Sequence, residues 1–158
     1  MNFSAPETML RRLRLLTKLT QQRLRHYLAD PEHAAQYVTD NRLTYLPIPR
    51  LLDLARATRT VGVNHAIQGI VIQAGCALGG SLLVMAKYAQ RRQIHVSDTF
   101  TSPPPPTEDD TDDAHDRYEV IRSGHSPGIN NDTYYGYRTD ILSLVTSHLS
   151  IFCGHEVL

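Results

Sequence analysis

Residues 70–81 read IVIQAGCALGGS, and an aspartate, Asp98, stands 23 positions beyond Gly75. A short apolar run that ends in glycines is the form of a buried strand entering a turn. Small residues in such a turn let backbone N–H groups approach a ligand closely, and the helix that follows adds a partial positive charge. In an open parallel sheet, ligands bind beyond the carboxyl ends of the strands, and Gly75 and Asp98 both fall at such ends. An acid there can accept hydrogen bonds from two ribose hydroxyls. The turn is not the dinucleotide form G-x-G-x-x-G, because Cys76 and Ala77 follow Gly75 and the next glycines are Gly79 and Gly80. That pattern favours a nucleoside with a tail other than a pyrophosphate.

Other residues carry weaker chemical signals. Asp109, Asp110, Asp112, Asp113 and Asp116 offer hard oxygen ligands, but the glycine and terminal glutamate of a calcium loop are absent, so a solvated or lid-forming segment is expected. His115 and His125 flank a predicted helix, where surface or structural service outweighs acid–base work. Tyr134, Tyr135 and Tyr137 are read either as a binding wall or as packing on the sheet. Cys76 has no neighbouring base and reads as a small buried turn residue.

The elements that must position this turn follow from periodicity. Residues 69–74 contain Ile70, Val71 and Ile72 in succession, the continuous apolar run expected of a strand buried on both faces. Residues 81–90 have helical spacing with Ser81 placed as the cap, and residues 93–98 alternate as a second strand. Together they make a βαβ unit. Upstream, leucines recur at helical steps through residues 7–28, Pro31 opens a short helix, and Pro47 and Pro49 form a turn or extended entry. A helix carrying Leu51, Leu52, Leu54 and Ala55 then ends before Gly62. Downstream, Pro103 to Pro106 favour a stiff extended segment. A helix is expected to follow and stop at Gly124, then a last helix with Ile141, Leu142, Leu144, Val145 and Leu149 on one side, and residues 150–154 as a third, short strand.

At 158 residues one domain is expected, and 41% apolar with 20% charged residues is ordinary for a globular chain. Sixteen basic residues balance sixteen acidic ones, which argues against nucleic acid as a partner. The charges are unevenly placed: six basic side chains and no acid lie between Thr8 and Ala29, and six acids with no base lie in Glu108 to Asp116. No apolar run reaches the roughly 18 residues of a membrane span, so no membrane partner is expected. Two cysteines without metal spacing fit a reducing, cytoplasmic setting. A parallel sheet this small exposes its edges, so a homo-oligomer is expected.

Three stretches, VIQAGCALGGS, HVSDTFTSPPPPTEDDTDDAHDRYEVIRSGHSPGI and DTYYGY, resemble the macrocin O-methyltransferase family of sugar O-methyltransferases, over roughly residues 43–149. The segment after D-x-F is the more specific part. The resemblance implies an α/β fold of Rossmann-like class I S-adenosylmethionine (SAM)-dependent methyltransferase type. Its N-terminal part occupies residues 43–158 behind a helical segment, residues 1–42. It implies SAM as cofactor, with Gly75 and its neighbours Gln73, Ala74, Cys76, Gly79, Gly80 and Ser81 against the methionine part and Asp98 on the ribose. It further implies a magnesium ion held by acids on later strands beside a sugar or natural-product hydroxyl that accepts the methyl group. Those strands are not found in the 60 residues after Asp98, so the fold is expected to be incomplete and the metal ligands and catalytic base are unassigned. The family usually carries glutamate where this chain has Gln73, whose amide lacks the charge to pair with the ammonium of SAM. The expected function is therefore a SAM-dependent O-methyltransferase-like protein. The alternative is a truncated, non-catalytic remnant serving as a binding or oligomerisation module. A different Rossmann-like enzyme, for example one that binds a nucleotide sugar, is the third reading.

Overall fold

The structure, a computed structural model, describes residues 17–90 and 92–153. The first half of the basic leucine helix expected over residues 7–28, with Leu10, Leu13 and Leu16, lies outside them. Its second half is present as α1, residues 17–27, which directs Leu24 inward and leads to the buried Leu28. Asp30 then caps α2 (Pro31–Asp40), accepting the N–H of Glu32 at 2.8 Å, with Pro31 at the first helical position as its fixed φ favours.

The second helix ends in a Schellman turn: the N–H of Arg42 donates to Thr39 and that of Leu43 to Val38, satisfying two terminal carbonyls. Next comes α3 (Ile48–Val63), entered through Pro47 and Pro49 and burying Leu51, Ala55 and Thr58 on one stripe. This helix does not stop before Gly62. A Cβ there would lie 2.7 Å from the carbonyl oxygen of Tyr88, so glycine allows the helix to pass the end of its neighbour.

The expected strand–helix–strand unit is present as β1 (Val71–Ala74), α4 (Gly80–Tyr88) and β2 (Ile94–Ser97), with β1 parallel to β2. Arg92 fastens the entry to β1 by donating to the carbonyls of Val61, Asn64, Ile67 and Gly69. The two strands are the whole sheet among the described residues. β1 is not buried on both faces: Gln73 is buried, but Ile72 is 70% exposed and Ala74 also faces solvent. The apolar run predicted two covered faces because period alone does not say how many layers exist to cover them.

Beyond β2 the proline run has no regular structure, α5 (Asp112–Arg122) follows, and α6 (Ile141–Cys153) ends the described chain. The third strand expected at residues 150–154 is absent as far as Cys153: α6 continues through residues 150–153, burying Phe152. Its last carbonyls are held by cations, as helix C-termini favour. Arg25 donates to Ile151 at 3.2 Å and Ser150 at 3.4 Å, while Lys87 joins Phe152 at 3.4 Å to Arg25 at 2.8 Å. These bonds tie the C-terminal ends of α1 and α6 to α4.

The core is centred on a helix rather than on the sheet. α4 packs against α2, α3 and α6, and buries Leu82, Leu83, Val84, Met85 and Tyr88 around most of its circumference. Leu28, Val38, Leu51, Ile141, Val145 and Phe152 complete one continuous cluster, with Ile94 and Val96 of β2 packed at its margin. The protein is thus mixed α/β, with six helices and a small parallel sheet among the described residues.

Candidate functional site

Strand register explains why Asp98 meets the glycine turn. Val71 pairs with Ile94 and Ala74 with Ser97, so the two strands run side by side with a constant offset. The N–H of Gly75 extends the ladder to Ser97 at 2.8 Å. The next residue, Asp98, therefore stands beside Gly75. Its Oδ2 accepts the N–H groups of Cys76 and, at 2.9 Å, Ala77; Oδ1 accepts that of Phe100 at 2.7 Å. Burial pushes the Asp98 carboxyl up, but the backbone N–H bonds from Cys76, Ala77, Phe100 and Thr99 outweigh it and hold it below the ordinary carboxylate value. The acid read from sequence as a ribose acceptor thus spends these bonds on bracing the turn.

The turn itself is built from left-handed residues. Gly75, Ala77 and Gly79 have φ of 79°, 47° and 87°. A side chain at Gly75 would meet nothing within 4 Å, so the turn is open there. Gly80 is the opposite case: a Cβ would fall 2.5 Å from the carbonyl oxygen of Leu43, and the Gly80 N–H donates to that oxygen at 2.8 Å. This bond and the left-handed Gly79 at the cap position start α4, so the expected cap role of Ser81 is not realised. Ser81 lies inside the first turn, where its Oγ accepts the side-chain amide of Gln73 at 2.7 Å.

Gln73 is 7% exposed. Its Nε2 also donates to the carbonyl of Gly75 at 3.0 Å, which fixes the amide orientation, since that carbonyl can only accept. The other end, Oε1, is buried without a hydrogen-bond partner. A buried acceptor left unpaired costs on the order of 1–3 kcal/mol.

Of the predicted set, Gln73, Gly75, Cys76, Ser81 and Asp98 come together through these bonds, and Gly79 and Gly80 start the helix beside them. Ala74 is exposed next to Gly75 on the uncovered side of β1. Ala77 and Phe100 also contribute N–H groups to Asp98. Sequence signals for them were absent, because any residue supplies a backbone donor. Cys76 is buried, and burial, aided by the nearby Asp98, pushes its thiol up to about 11, so it is no nucleophile near neutral pH. Cys153 is also a free thiol.

The weaker candidates resolve into structure. Asp112 and Asp113 occupy the first turn of α5, where a helix N-terminus favours acids, and Asp110 accepts both the N–H and the hydroxyl of Thr107. His115 faces the Thr107 carbonyl and His125 the Ser123 hydroxyl, both exposed. Among the described residues no group of three or more His, Cys, Asp or Glu side chains is placed to hold a metal ion. The tyrosines pack on one another, with Tyr134 centred 4.6 Å from Tyr135 and 5.2 Å from Tyr137. Tyr137 donates to the carbonyl of Ile121 in α5 at 2.7 Å, so the anchor of this cluster is α5 rather than the sheet.

The arrangement defines a mixed α/β protein with a parallel strand–helix–strand unit and an open, carboxylate-braced glycine turn at the ends of its strands. No family model matches the chain, and no curated protein or solved structure matches it either. No helix among the described residues is long and apolar enough to cross a membrane.

Proposed function

We propose that the Gly75 turn binds SAM, and that the chain is a SAM-dependent O-methyltransferase-like protein of Rossmann type acting on a hydroxyl of a sugar or natural-product scaffold. The observation that carries this reading is the orphaned Oε1 of Gln73, whose amide nitrogen is bonded to the Gly75 carbonyl of the open turn. A ligand ammonium would supply the missing donor, as the methionine end of SAM can. Gly75 leaves room for that end to approach the backbone, and Ser81 holds the Gln73 amide in place. Asp98 keeps the turn in shape and offers its remaining acceptor capacity to a ribose hydroxyl. When bound, SAM supplies an electrophilic methyl group; the chain's part is to orient it and exclude water. The divalent ion does not fit the described residues, so no step is routed through a metal, and the base that would deprotonate the acceptor is unassigned.

Calorimetric titration tests the binding claim. Wild-type protein should bind SAM and S-adenosylhomocysteine, and Gln73→Met should weaken both by about tenfold, the loss of roughly one charge-assisted hydrogen bond. No heat with either ligand at millimolar concentration sinks the reading.

A second reading, a non-catalytic module that self-associates, is favoured by the bare face of the sheet. Ile72, Ala74, His95 and Ser97 all point to the side that no helix among the described residues covers, and there the two-stranded parallel sheet keeps unpaired backbone groups at both edges. The occupant we infer is a second copy of this chain laid on Ile72. Light scattering should report a dimer for wild type and a monomer for Ile72→Ser; a wild-type monomer at high micromolar concentration refutes it.

A further inference from the structure

Against the Leu78 side of the glycine turn lies a cavity of about 330 Å³, lined by the apolar Leu78, Ile129 and Leu144 and by Arg42, Arg138 and His148. We propose that this cavity is a second binding site, for a small molecule that joins one oxyanion, carboxylate or phosphate, to a compact apolar body.

The first argument is the backbone of Arg42. It occupies the residue after the cap in the Schellman turn of α2, with φ of 54°, a position that glycine fills without strain. An L side chain there costs about 1–2 kcal/mol. The ion pair that Arg42 makes with Asp132 at 3.0 Å does not offset this cost, because both side chains are more than half exposed and such pairs contribute about 0–1 kcal/mol. Stability alone therefore gives no reason for arginine. A guanidinium held over a cavity does, since strained residues concentrate where a ligand is held.

The second argument is charge and shape. Two guanidinium groups, Arg42 and Arg138, line the cavity, each already paired with one carboxylate, Asp132 and Asp140, and the N–H groups those pairs leave over are the donors an oxyanion would take. Arg42 has one nitrogen on Asp132, and Arg138 is fixed from behind by a two-pronged pair with Asp140, at 2.8 and 2.7 Å. The opposite wall is a tight loop with Asn130 and Asn131 at φ of 53° and 61°, closed by the Gly128 N–H donating to Asp132 at 2.7 Å and by the bridge of Pro127 with Thr133. The polar lining is therefore built before a ligand arrives, and the leucine and isoleucine side chains take the apolar body.

Arg42→Gly separates binding from folding, because it removes the guanidinium while relieving the backbone. The probes are phenyl phosphate and benzoate, which distinguish the two oxyanions, with phenol as the uncharged control, each followed by protein-observed NMR on the full chain. Saturable shifts at Leu78, Ile129 and Thr133 with at least one anion, none with phenol, and at least a tenfold weakening in Arg42→Gly at an unchanged or higher Tm are expected. Arg138→Gln should weaken the same probe. Absence of saturable binding by both anions, or equal binding by Arg42→Gly and wild type, overturns the proposal. Saturating S-adenosylhomocysteine should leave probe binding in place, and its failure to bind would count against the Gly75 reading alone.

Discussion

The carboxylate of Asp98 accepts the backbone N–H of Ala77 at 2.9 Å, closing the glycine turn from the end of the neighbouring strand. Oδ2 serves Cys76 and Ala77 while Oδ1 serves Phe100, so both oxygens must accept. Asn would present an NH₂ group to one set or the other. Asp98→Asn is therefore expected to cost about 1–3 kcal/mol, read as a lower urea midpoint at pH 7. An unchanged midpoint would mean that these bonds do not hold the turn.

Gln73 tests whether the turn demands an amide. Glu in its place would set an acceptor against the Gly75 carbonyl and bury a charge, so Gln73→Glu should destabilise by about 2 kcal/mol or more. Gln73→Met gives up the two donated bonds but also the orphaned Oε1, and should fall within about 1 kcal/mol of wild type. Equal losses in the two variants would contradict the assigned amide orientation.

Gly62 offers a test of sign. Propensity alone expects Gly62→Ala inside α3 to gain about 1 kcal/mol. The added Cβ would sit 2.7 Å from the Tyr88 carbonyl oxygen, and overpacking of that kind costs about 1–3 kcal/mol. A net fall in Tm is the expected outcome, and a rise would show that α3 and α4 are less closely apposed.

Acid should lower the stability of the protein along two limbs of its pH dependence. Burial lowers His148 below its ordinary 6.5, so the folded state resists its protonation; stability is full above that value and declines as pH falls toward the folded one. Asp98 also lies below its ordinary 3.8, so its contribution is complete above 3.8 and is lost as pH falls through the lower folded value. His148→Gln should flatten the upper limb of a stability–pH curve while leaving the lower one. An upper limb that persists in this variant would assign it to another group.

Both thiols should be slow. Burial raises Cys76 to about 11 and also raises Cys153, the latter partly offset by Lys87 and Arg25. Iodoacetamide at pH 7.5 is expected to label neither within the time that labels the urea-unfolded chain fully. Rapid native labelling at Cys76 would show that the turn opens.

The sequence by itself determined the local parts: two strands joined through a glycine turn and a helix, the start of α2 at Pro31, the amphipathic stripe of α3, and Asp98 at the end of its strand. These rest on short-range periodicity and on backbone preferences of glycine and proline, which the residues carry wherever they are placed. The tertiary structure alone decided what those parts face. It put α4 rather than the sheet at the centre, left Ile72 exposed because no layer among the described residues covers that side, and carried α6 through residues expected to form a strand because Phe152 finds a helical core. It also turned Asp98 inward onto Cys76 and Ala77, and brought Arg42 to Asp132 across 90 residues. Contacts between segments so far apart depend on packing of the whole chain, which no local pattern encodes.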